Sequence, residues 1–445
     1  MAFFGCLVMY CTRVSLSIAM VAMGVKYNWD PKTQGIILSS FYYGYVMTQL
    51  PGGILCDRFG AKWLFGGGVL VTTVLYLLIP VAANWGVLAF TVIRILEGLG
   101  EGLAFPAITQ AISNWSPRFE RSRISSIICC GVPIGNIIGS PISGFLSSTD
   151  FIGGWPSIFY LFGSFGCAWF LLWCILVYET PEDHPRISKE ELLYIQQNKD
   201  EKLKTKAPIP WKKIFSSVPV WAVIVAHFGN NYAFLMFLTL MPTYFKTILH
   251  FDIKTNGILS AMPYAALAIS MALASYIADR LRKCNKLSIS TIRKGANSIG
   301  ERNKVLFTLN WSSCLGIVAS NCQRELIVGL LCLAMFLNGF AFSGFNVTHV
   351  DMSADFSGVL FGITNSVANT AGILTPMIVG FLTASGETVE NWNTVFYITA
   401  AVYIMSALFY AFFASAEVQP WGLAKRDTPV VLTPDKPPFV ESIKS

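Results

Sequence analysis

Charge is what this sequence has least of. Only 13% of its 445 residues are Asp, Glu, Lys or Arg, against 54% hydrophobic, and the mean hydropathy is +0.55. A soluble domain of this length cannot hide so much apolar side chain, so an ordinary soluble fold is excluded and lipid must act as part of the solvent. Histidine is scarce too, at four residues, and the eleven cysteines are scattered through apolar stretches, as at Cys6, Cys56, Cys167 and Cys332. Only Cys129 and Cys130 adjoin, at no metal-ligand spacing, so the thiols are expected to pack rather than bind zinc. No Walker lysine loop, catalytic-triad spacing or zinc motif occurs, which argues against ATP-driven transport and against an enzyme; no cofactor is expected. The net charge of +7 does not signal nucleic-acid binding, because the basic residues sit in particular loops instead of on a soluble face with stacking aromatics. A small-residue cleavage site is also missing, so the first apolar helix, which carries Arg13, is expected to stay as an anchor.

What is present is a series of apolar runs of about 20 residues, the length that spans a bilayer as helix. They predict an all-α membrane protein of twelve helices: Met1 to Val25, Gln34 to Cys56, Lys62 to Ala82, Trp85 to Ile112, Ile124 to Leu146, Trp155 to Tyr178, Val218 to Ile248, Gly257 to Leu281, Ala296 to Ala319, Glu325 to Val350, Ser357 to Leu382 and Trp392 to Ala414. The ninth is interrupted by Glu301, Arg302, Asn303 and Lys304. Residues 1–178 then form one six-helix bundle, 179–217 a linker, 218–415 a second bundle and 416–445 a tail. Basic residues at Arg58, Lys62, Arg118, Arg121 and Arg123, in the linker, and from Arg280 to Lys294 all fall on one side, which makes that side, and both termini, cytosolic. In the linker, Ser188 with Glu191 three residues on predicts a capped helix start. Sequons at Asn114, Asn310 and Asn346 lie on the cytosolic side or in helices and make poor glycosylation sites.

The two sets of six echo each other. Gly53-x-x-x-Asp57-Arg58 recurs as Ser275-x-x-x-Asp279-Arg280, and Trp155-x-x-x-Phe159-Tyr160 as Trp392-x-x-x-Phe396-Tyr397. Pro141 with Gly144-Phe145-Leu146 recurs as Pro376 with Gly380-Phe381-Leu382. Three echoes in order at corresponding helices are expected of a carrier built from two like bundles.

The candidate chemistry lies in helix four, where Arg94, Glu97 and Glu101 fall within an arc of about 60°. Ionisable groups at bilayer depth are costly unless they face a partner or a watery cavity. Neighbouring carboxylates can share a site that binds and releases a proton, with Arg94 holding one ionised. Arg13 in helix one is expected to leave excess positive charge for an anionic solute. The bland alternative is a static ion-pair network. Tyr10, Tyr42, Tyr43, Tyr45 and Gln49, with Asn230, Asn231 and Tyr232, add polar groups that line a cavity or merely pack. His227 and His349 suit either titration or helix-to-helix hydrogen bonds, and Asn365 and Asn369 share a face. Gly131, Gly135 and Gly139 read as helix packing. The string Gly98-Leu99-Gly100-Glu101-Gly102 follows no strand, so it is no nucleotide loop.

Residues Gly53 to Lys62, with Asp57, Arg58 and Lys62, resemble the major facilitator signature between helices two and three, whose role in that superfamily is to brace the cytosolic gate. Arg13-Val-Ser-Leu-Ser-Ile-Ala19, Phe41-Tyr-Tyr-Gly-Tyr45, Gln49-Leu-Pro-Gly-Gly53, Arg94-x-x-Glu97-Gly-x-Gly-Glu101-Gly102, Trp115-x-Pro117-x-x-Glu120-Arg121-Ser122 and Gly362-Ile-Thr-Asn365 resemble, more narrowly, the anion–cation symporters. The resemblance runs from helix one to Glu417. It implies a secondary carrier of small anions, inorganic phosphate or acidic sugars, working as a monomer in the lipid bilayer of a plasma, lysosomal or vesicular membrane. It implies substrate contacts at Arg13, Arg94 and Tyr45 and proton coupling through Glu97 and Glu101; Tyr10, Asn230 and Asn365 join the candidate substrate contacts as polar groups on their helices, and the coupling ion is expected to be H+ or Na+. Thr12 stands where bacterial proton-coupled relatives carry Asp, and Asn230 and Leu38 differ from the vesicular glutamate transporters, which disfavours glutamate. A membrane sensor or scaffold that keeps the fold without transport is the alternative.

Overall fold

Helix boundaries follow local chemistry. Helix α1 (Ala2–Tyr27) closes at Asn28, whose φ of 52° is the left-handed turn that ends a helix, and α2 (Pro31–Phe59) starts after Asp30, which accepts from the Thr33 N–H at 3.2 Å. Pro31 fills the first turn, where its missing N–H is no loss. Gly60, at φ 83°, separates α2 from α3 (Ala61–Trp85), and the carboxylate of Glu179 covers the opening of α3 by accepting from the N–H groups of Ala61 and Lys62 at 2.8 and 2.9 Å.

The computed structural model describes residues 1–117, 120–198, 209–283, 291, 295, 324–342, 345–353, 356–415 and 417–422. The fourth span is broken into α4 (Val87–Glu101) and α5 (Ala104–Trp115). Three glycines weaken that stretch, and Pro106 cannot donate to the Gly102 carbonyl. The fifth divides into α6 (Arg121–Cys129) and α7 (Gly131–Ser147), with Pro133 unable to donate to Cys129. Then come α8 (Pro156–Leu176), the linker helix α9 (Lys189–Gln197) and the short α10 (Trp211–Phe215). Ser188 does cap α9, accepting from the Glu191 N–H at 3.0 Å. After the linker lie α11 (Val218–Thr247), α12 (Ile253–Lys283), α13 (Arg324–Phe342), α14 (Phe345–Met352), α15 (Ser357–Asn369), α16 (Ala371–Leu382) and α17 (Val389–Phe413). Among the described residues there is no strand, and eight spans are long and apolar enough to cross a membrane. The ninth window, Ala296 to Ala319, the Asn310 sequon and residues 423–445 lie outside the described residues.

Before the linker, α1 packs on α7, and α4 is held between α2 and α3; after it, α11 packs on α15 and α17, and α12 on α13. One echoed motif, Gly-Phe-Leu, lies where the two halves meet. A Cβ on Gly144 of α7 would come 2.8 Å from Gly257 and Ile253 of α12, and one on Gly380 of α16 would come 2.6 Å from the Pro31 carbonyl of α2. Both contacts lie at the end away from the linker. At the linker end the corresponding positions are open, since a Cβ on Gly53 of α2, or on Gly358 or Gly362 of α15, meets nothing within 4 Å. Tryptophan repeats as well: Trp155 stacks its edge on Phe159 with centroids 5.7 Å apart, and Trp392 lies 6.2 Å from Phe396. Gly131, Gly135 and Gly139 seat α7 against the backbone of α1 at Phe3, Leu7 and Cys11, in keeping with a packing role.

Candidate functional site

The polar centre is built by backbone contact. Side chains at Gly44, Gly98 and Gly102 would overlap the facing backbone, because α2 and α4 touch main chain to main chain; Gly100 makes the same close approach to Gly68 of α3. The glycine string thus draws α4 into the bundle, and its charged face comes with it. Arg94, Glu97 and Glu101 are all buried, with both glutamates at 0% exposure, and Arg13 of α1 joins them at 7%.

Each carboxylate has its own guanidinium. Arg13 Nε donates to Glu101 Oε1 at 2.6 Å, and Arg94 Nη1 pairs with Glu97 Oε2 one turn along α4. The expected excess of positive charge is therefore not found: two arginines and two glutamates balance, because Arg13 reaches across from α1 to Glu101. The pairs are not saturated. Arg13 Nη2, Arg94 Nε, Glu97 Oε1 and Glu101 Oε2 are buried without a hydrogen-bond partner, a costly arrangement unless something else completes it.

Aromatic rings frame the pairs. The Arg13 guanidinium lies 4.9 Å from the Tyr10 ring, 4.9 Å from Phe41 and 4.6 Å from Tyr45, and that of Arg94 lies 4.9 Å from the same Phe41. Phe41 is thereby shared between the two cations. The Tyr45 side chain, whose ring lies against the Arg13 guanidinium, is also close to Asn365 of α15. Asn365 Nδ2 in turn donates to Gln49 Oε1 of α2 at 3.0 Å, and Asn369 Nδ2 to Asn365 Oδ1 at 3.0 Å. The site is consequently continuous across both halves.

Asn230 is buried on α11. His227 and His349 meet on one hydroxyl, with Thr364 Oγ1 3.1 Å from His227 Nδ1 and 2.7 Å from His349 Nε2, which ties α11, α14 and α15 together. The signature residues sit at the linker end. The side chain of Asp57 lies outside the described residues, Arg58 is exposed against the ring of Phe59, and Lys62 Nζ donates to the Cys174 carbonyl at 3.2 Å. Among the described side chains at this end, Glu179 braces the opening of α3 in its own half.

Sequence reasoning did not single out Phe41, Glu179, Asn136 or Tyr264. Phe41 stood inside a quoted motif, and Glu179 is the first acid after helix six. Asn136 on α7 is fully buried with neither amide atom bonded, and the buried Tyr264 hydroxyl of α12 is also without a partner. Tyr264 belongs to the same buried cluster as Tyr10, Tyr42 and Tyr45, so the second half brings an unpartnered hydroxyl into the packing around that centre. A polar side chain within an apolar helix was the available signal. Among the described residues no group of three or more His, Cys, Asp or Glu side chains is placed to hold a metal.

Comparison with known proteins agrees with this architecture. The family profile described as Major Facilitator Superfamily matches residues 2–292 and 296–443. The chain is 40% identical to sialin of Homo sapiens over 95% of its own length and 90% of the relative's. It is 39% identical to vesicular glutamate transporter 2 of Homo sapiens, over 89% of this chain and 67% of that one. A bacterial homolog of the human lysosomal transporter Spinster, in an inward-facing and occupied conformation, superposes with a TM-score of 0.72 at 12% identity, covering 94% of this chain and 97% of that one.

Proposed function

This chain belongs to the major facilitator superfamily, in the branch of sialin and the vesicular glutamate transporters, and on that premise we propose that it carries small anions across a membrane by coupled alternating access. It is a multi-pass membrane protein. In this reading its twelve helices form two bundles, residues 1–178 and 218–415, with both termini cytosolic and the working unit a monomer in a plasma, lysosomal or vesicular membrane. The solutes it suits are acidic sugars and inorganic phosphate.

One observation supports the reading most: a buried, charge-balanced quartet whose four members each keep one unpaired polar atom. A balanced quartet does not attract an anion. Neutralise Glu101 with a proton, and Arg13 becomes an uncompensated guanidinium beside three aromatic rings, ready for a carboxylate or phosphate. The anion then enters only with a proton, which is symport enforced by the cost of burying net charge. A sodium ion held by the same carboxylates would serve the same balance, but a proton needs no extra ligands. Bundle rocking exposes the neutral, loaded site to the other side.

The experiment is uptake of labelled phosphate and acidic sugars into proteoliposomes, with and without pH and sodium gradients. Uptake driven by an inward proton gradient is expected. Silence for every anion under either gradient would overturn the reading.

A further inference from the structure

The end of the molecule away from the linker holds a feature that the quartet does not use. Where the two halves close, a narrow crevice is lined by Gln34 and Leu38 of α2, Thr243 of α11, Val379 of α16, Glu387 in the following loop and Trp392 of α17. It spans both halves, and Glu387 is its one ionisable lining residue. We propose that Glu387 is a second proton-binding site, which must be protonated for this gate to close.

The argument rests on what surrounds the carboxyl. From α2, Asp30 is spent on capping its own helix and Lys32 Nζ turns to the ring of Phe381 at 5.6 Å. The Gln34 amide donates to the Trp29 carbonyl at 3.0 Å. From α11, Lys246 is exposed; from α17, Glu390 is exposed; and Thr383, at the end of α16 and also lining the crevice, donates its hydroxyl to the Val379 carbonyl one turn back. No cation is therefore turned toward Glu387 by the described elements around it, while the Trp392 indole N–H is buried without a partner. Partial burial in the crevice, with no cation to offset it, pushes the Glu387 carboxyl above its ordinary range. Opening the gate separates α2 from α16 and returns Glu387 to water, where its ordinary value is restored.

The sign follows by linkage. The closed state has the raised value, so acid favours closure, and that advantage is lost as pH rises through the closed-state value. Acid on this face would hold the gate shut and turn the quartet toward the linker side. This inference rests on the alternating-access reading above, yet its readout needs no substrate.

The test is labelling of Thr383→Cys in proteoliposomes by a membrane-impermeant maleimide, normalised to the exposed Ser385→Cys so that thiol titration cancels. In the otherwise unaltered chain, normalised labelling should rise several-fold between about pH 5 and about pH 8. Glu387→Gln should stay at the low rate throughout, and Glu387→Asp should restore the rise. A flat profile in the parent, or the same rise in Glu387→Gln, overturns the proposal. Silent uptake combined with a normal labelling profile would sink only the carrier reading.

Discussion

Replacing Glu101 with Gln tests the quartet directly. The change keeps the shape of the side chain and removes the charge that faces Arg13 Nε at 2.6 Å, at a place where the two side chains are 4% and 1% exposed. Breaking a buried pair by removing one partner costs about 3–5 kcal/mol, because a charge is left without compensation. The empty variant should therefore melt well below the parent. An anion reverses that loss: ligand at a hundred times its Kd contributes about 2.7 kcal/mol, so most of the deficit should return on adding a transported anion. In the parent, anion affinity measured by melting or by tryptophan quenching should fall with rising pH, by up to about tenfold per pH unit where one proton is taken up. In Glu101→Gln that slope should vanish, since the proton is in effect already there. Exchange of anion at equal concentrations should survive, and proton-driven accumulation should be lost. If the variant is destabilised, gains nothing from anion and loses exchange together with accumulation, the pair is a static brace and the coupling argument fails.

Three further outcomes check the geometry. Tyr264→Phe removes an unpartnered hydroxyl while keeping the ring, so stability should hold or rise slightly while KM for the anion rises several-fold; an unchanged KM would remove Tyr264 from the site. Gly98→Ala drives a methyl into the Phe41 carbonyl and should destabilise by about 1–3 kcal/mol in thermal melts, whereas Gly53→Ala, which meets nothing, should be tolerated. Glu179→Gln weakens the cover on the start of α3 and should cost about 1 kcal/mol, seen as faster amide exchange at Ala61 and Lys62, with anion affinity unaltered.

The sequence by itself determined the class of molecule and much of its plan. Apolar run length located the outer ends of the described spans to within a few residues, because bilayer thickness fixes how long such a run must be, but it did not show the breaks within the fourth, fifth and eleventh. Helical periodicity put Arg94, Glu97 and Glu101 on one face, and the spaced glycines of α7 announced a close neighbour. The Pro141 and Pro376 echo even marked two of the places where the halves touch, though not that they touch there.

The Arg94–Glu97 pair is local to one helix turn, but which charge meets Arg13 was decided by the tertiary structure alone. Arg13 and Glu101 are 88 residues apart, and only the backbone contact of Gly98 and Gly102 with α2, together with the packing of α1, brings them to 2.6 Å and turns an expected surplus of charge into a balance. The same holds for Phe41 between two guanidinium groups, for Tyr264 arriving from the other half, for Asn365 reaching Gln49, and for Glu179 covering a helix that starts 118 residues earlier. Local pattern records which face of a helix must be buried; it carries no record of the partner on the other side, because that is fixed by long-range packing between helices whose apolar faces are chemically alike.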